Sequence, residues 1–108
     1  MSGKTYPDPI SPEMLPNWAH ISDYEIARDI ADTETEIAMY TRLEAAERMI
    51  ASEHPSDSER RMAAFRANAR PPQLAERRAF VAFLRRLQDA RSLSALQLVA
   101  ALHQERAS

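Results

Sequence analysis

A chain of 108 residues with a net charge of −2 and 44% hydrophobic residues has material for one modest domain. A single glycine, Gly3, argues against phosphate-cradling loops and tight hairpins, and the lack of cysteine excludes disulfides, thiolate metal sites and cysteine nucleophiles. No run is long enough to cross a bilayer and no signal-peptide pattern opens the chain, so a cytoplasmic protein is expected.

Residues 1–20 contain Pro7, Pro9, Pro12 and Pro16 and no helical period. This predicts a flexible, Pro-rich arm ahead of a single helical domain at 21–108. Trp18 is the arm's one strong anchor. It either covers the core where the arm enters the first helix or stands exposed as a contact residue, tryptophan being enriched at binding hot spots.

A long helix over 21–52 organises the rest, since that stretch has neither Gly nor Pro. Ser22 and Glu25 have capping-box spacing, and Ile21 and Ile26 have that of a hydrophobic staple. Pro55 ends the helix and biases His54 away from helical angles. At about 100° per residue, Ile26, Ile30, Thr33, Ile37 and Tyr40 form an apolar stripe. Beside it run Glu25, Asp29, Asp32 and Glu36 with no intervening cation. Past Tyr40 the apolar set rotates to Met39, Leu43, Ala46 and Ile50, which predicts different neighbours there.

Three shorter helices are expected next. Ser56 and Glu59 open one at 57–69, which Pro71 and Pro72 should end. Another spans 73–90 with Phe80, Phe83, Leu84 and Leu87 as its stripe. The last opens at Ser94, with Gln97 in the capping-box position, and runs to a frayed end. The fold class is therefore all-α, with about four helices and a long first one.

Charge is unevenly shared. Residues 1–56 carry eleven carboxylates against four cations, and residues 57–108 carry ten arginines against five carboxylates. Such a chain either pairs its halves internally or meets a charged partner. His20, His54 and His103 stand apart, and Glu-x-x-His pairs are absent, so no metal site, cofactor or catalytic residue is assigned and an enzyme is not expected. Asp29/Asp32 and Glu44/Glu47 read as helix surface.

A DNA-binding alternative uses Arg60, Arg61, Arg66, Arg70, Arg77, Arg78, Arg85, Arg86 and Arg91 on phosphates, with Ser92-Leu93-Ser94 as the turn of a helix-turn-helix. The final helix offers only Gln97, Gln104 and Arg106 to read bases, which makes nucleic acid the weaker partner. A structural subunit of a larger assembly is the other alternative, and a homo-oligomer stays open. The favoured reading is a protein-interaction module in which Trp18, Glu25, Asp29, Asp32, Glu36 and Tyr40 meet a basic partner surface. The same carboxylates could instead pair with the chain's own arginines.

The phrase His20-Ile21-Ser22-Asp23-Tyr24-Glu25-Ile26, with Asp29-Ile30-Ala31-Asp32-Thr33-Glu34, Glu36-Ile37 and Ala75-Glu76-Arg77-Arg78-Ala79-Phe80, resembles the QseM-type antiactivators of rhizobial integrative and conjugative elements. The resemblance covers about a third of the chain and carries no catalytic signature. It implies a small helical regulator, linked to quorum sensing and conjugative transfer, that binds a transcriptional activator and blocks expression of transfer genes.

Overall fold

The computed structural model describes residues 5–107. Two long helices, α1 (Asp23–Glu53) and α2 (Asp57–Ala107), form an antiparallel hairpin preceded by a short 3-10 helix at Pro12–Trp18. The radius of gyration is 21.0 Å, against about 13 Å for a compact domain of this size. The molecule is a rod.

Two of the three predicted caps form; the one at Ser94 lies inside a continuous helix. Ser22 Oγ accepts the Glu25 amide at 3.1 Å, and Ser56 Oγ accepts the Glu59 amide at 3.3 Å. His54 is extended (φ −64°, ψ 137°), as the residue before Pro55 must be. Its Nδ1 accepts the Ser56 amide, and its carbonyl accepts from the Arg60 guanidinium. The turn between the helices is thereby closed on itself.

The helices meet along a seam of alternating four- and three-residue steps, the spacing of a coiled coil. On α1 it runs Ile26, Ile30, Thr33, Ile37, Tyr40, Glu44, Glu47, Ala51, all buried or half-buried. On α2 it runs Ala63, Ala67, Arg70, Leu74, Arg77, Val81, Leu84, Gln88, Arg91, again buried or half-buried. Away from the turn the seam is apolar, and Ile26, Ile30, Val81, Phe83, Leu84 and Leu87 make the core. Toward the turn it contains Ala63 and Ala67, small enough for close helix approach, and the charged Glu47 and Arg70.

Fewer helices form than the breakers in the sequence predict: α2 runs unbroken through Pro71, Pro72 and the Ser92-Leu93-Ser94 segment. Each proline removes one intrahelical hydrogen bond. Both lie on the exposed side of α2, so their rings project into water. Ala67 and Leu74 on either side are buried, and Arg70 reaches across to Glu47, so tertiary contacts hold the helix together over the break. At 92–94 the serines offer a cap, but no Gly or Pro stops the preceding helix. Without that turn there is no helix-turn-helix.

The flexible arm is also corrected. Residues 5–20 pack on α2, and the first four residues lie outside the described ones. Tyr6 stacks on Phe83 (centroids 5.0 Å apart), and Trp18 contacts the same ring at 5.2 Å. Arg86 donates to the Pro7 carbonyl at 3.0 Å, and Arg91 donates to the Trp18 and Ile21 carbonyls at 2.7 and 2.8 Å. A segment poor in internal hydrogen bonds is ordered because arginines of α2 take up its backbone carbonyls.

Leu84 is 2% exposed and packs between both helices and the arm, whereas Phe65 is 79% exposed. Leu84→Ala is expected to cost about 2–5 kcal/mol and Phe65→Ala less than about 0.5 kcal/mol. Urea unfolding followed by circular dichroism measures both, and equal effects would contradict this core.

Candidate protein-binding face

The six residues singled out from the sequence divide into two groups. Glu36, Tyr40 and Trp18 are used within the molecule. Arg77 Nε donates to Glu36 Oε2 at 3.0 Å, and another nitrogen of the same guanidinium donates to the Tyr40 hydroxyl at 3.2 Å. The Tyr40 ring lies between Arg77 and Arg70, 4.3 and 5.2 Å from its centroid, in cation–π geometry. Arg70 continues the chain of contacts, donating to Glu47 at 2.9 Å and to Gln73 at 3.2 Å. The hydrogen bond to Glu47 pushes the Arg70 guanidinium above its usual value. Trp18 is half-buried against Phe83, so it covers the core rather than standing free as a contact residue.

Glu25, Asp29 and Asp32 stay open. Glu25 and Asp32 have no ion pair among the described residues, and Asp29 has only its neighbour Arg28 at 3.9 Å. Glu25 and Asp29 are half-buried and Asp32 is exposed. Spaced i, i+4 and i+7, the three rise about 10 Å along one flank of α1. The same flank continues, in the same rhythm, through Met39 (42% exposed), Leu43 (38%), Ala46 and Ile50 (41%). The rotated apolar set was expected to meet a neighbour and instead faces solvent. Near the same end of the hairpin α2 exposes Met62 and Phe65. The apolar half of this face was visible in the sequence as a change of stripe; its exposure was not.

The other carboxylates facing α2 are matched. Glu34 pairs with Arg85, Glu36 with Arg77, Glu47 with Arg70 and Asp23 with Arg91, at 2.8 to 3.0 Å. Partner numbers rise on α1 as they fall on α2, so the pairs share one antiparallel register. They also consume the cations that the DNA-binding alternative requires. Arg60 and Arg61 are held by Asp57, and Arg86 lies 3.7 Å from Asp8. Arg66 and Arg78 are the members of that set with no ion pair among the described residues.

Among the described residues no three His, Asp or Glu side chains lie close enough to hold a metal ion. No helix of those residues is long and apolar enough to cross a membrane. No family model, curated protein or solved structure matches the chain.

Burial beside Phe80 and Phe83, with a smaller contribution from the Glu76 carboxylate, raises the Tyr6 phenol above its usual value. The folded value therefore exceeds the unfolded one. Stability lent to the docked arm is complete below about pH 10 and is lost as pH climbs through the raised value. Trp18 emission, followed against pH, should shift to the red there, and Tyr6→Phe should remove the Tyr6-dependent part of the shift. Identical profiles for the two proteins would exclude Tyr6 as the titrating group.

Proposed function

We propose that this chain is a non-enzymatic regulator that captures a basic protein surface on the open flank of α1. The partner class we assign is a transcriptional activator, held away from DNA while bound. The supporting observation is selective: the cross-helix acids are paired, while among the described residues Glu25 and Asp32 have no ion pair and Asp29 has only its neighbour Arg28, and their flank continues into exposed Met39, Leu43 and Ile50. Carboxylates without internal partners lose no fold energy by meeting a guanidinium or ammonium outside, and they steer a cationic surface at long range. The exposed methionine and aliphatic side chains provide the adaptable apolar contact that steering alone lacks. The antiactivator role rests on the resemblance to QseM-type proteins and agrees with this arrangement.

The intact chain, immobilised and exposed to lysate of its native host, should retain a DNA-binding activator and release it as salt rises. Asp29→Arg combined with Asp32→Arg should abolish retention while leaving the far-UV dichroism unchanged. Undiminished capture by the double variant would remove this flank from the mechanism.

A further inference from the structure

The hairpin is lopsided. Asp23 at the start of α1 stands opposite Arg91, with 2.8 Å between their charged atoms, yet α2 continues to Ala107. Residues 92–107 therefore extend beyond the two-helix body by about 24 Å. The seam does not stop with α1. Its four- and three-residue steps carry on from Arg91 to Ala95, Leu98 and Leu102, the last two 63% and 51% exposed. Val99 widens this strip, at 50% exposure. Gln97 and Gln104 lie together on another side.

We propose that this overhang is a self-association surface, pairing antiparallel with the same segment of a second copy. Four observations select that occupant. The strip is continuous with an existing helix–helix seam and keeps its spacing, so it is built to receive another helix. Residues 92–104 contain no Asp, Glu, Lys or Arg in a chain that is 28% charged, so like meets like without repulsion and a charged partner has nothing to grip. The strip is self-complementary when reversed about the point between Leu98 and Val99: Ala95 falls against the partner's Leu102, small against large, and Leu98 against the partner's Val99. Finally, a lone helix of about 16 residues is marginal in water, and a second copy supplies the missing packing. The contact is shorter than the standard interface of about 800 Å² per partner, so the dimer is weak and forms as concentration rises. This surface lies at the opposite end of the rod from exposed Met62 and Phe65 and does not depend on the role assigned to the acidic flank.

The natural absence of cysteine makes a direct test available. Leu98→Cys, beside the two-fold axis, should oxidise to a covalent dimer, whereas Phe65→Cys, also exposed, should remain monomeric under the same conditions. Sedimentation velocity of the unmodified chain over roughly three decades of micromolar concentration should show a monomer passing to a dimer. Leu98→Glu should hold it monomeric with helicity retained. A monomer at every concentration, a dimer indifferent to Leu98→Glu, or equal crosslinking of the two cysteine variants would overturn the proposal. The first outcome would assign the overhang to a different partner.

Discussion

The arginines of α2 fall opposite carboxylates of α1 in one antiparallel register, and the remaining contacts depend on that match. Sliding the helices by a heptad would leave Glu47, 8% exposed, without Arg70, and would separate Arg77 from both Glu36 and Tyr40. A buried charge stripped of its partner is strongly unfavourable, so the polar stretch of the seam rejects alternatives that apolar packing would tolerate. The exposed Glu34–Arg85 pair, about half accessible on each side, contributes little by comparison. Driving force comes from the other end, where Ile26, Leu84 and Leu87 are fully buried. One end of the hairpin supplies stability and the other supplies register.

The arm belongs to this economy of arginines. Arg86 and Arg91 continue the same helix to the start of α1, where they donate to backbone carbonyls of Pro7, Trp18 and Ile21, Arg91 while also paired with Asp23. Tyr6 and Trp18 then close over Phe83, which neither long helix covers alone. A proline-rich segment is suited to this, because it has few amides of its own to satisfy and its carbonyls are free to accept.

With so many charges satisfied inside, the ones left over acquire meaning. Glu25, Asp29 and Asp32 lie beside the buried seam of α1, and the flank they share becomes apolar as it nears the turn. At the far end α2 outruns its partner and exposes leucines without charge. The two surfaces differ in chemistry as well as place: one suits a cationic partner, the other a copy of itself.

Much of this was legible from the residue order. Local chemistry wrote the start of α1, since the Ser22 hydroxyl and the Ile21/Ile26 pair act within one turn, and Pro55 ended the helix through the backbone of its own neighbour. The opposed charges of the two halves likewise announced an attachment, internal or external. Tertiary structure decided which. Pro71 and Pro72 are helix breakers in isolation, and only the contacts of Ala67, Arg70 and Leu74 across the seam hold the chain helical there. Glu36 and Asp32 look alike in the sequence and share a flank of α1, yet one reaches Arg77 and the other faces water, because the antiparallel register brings an arginine of α2 beside Glu36 and none to Asp32. Local rules fix where a helix begins; which of its faces finds a partner depends on residues 23 to 68 positions away.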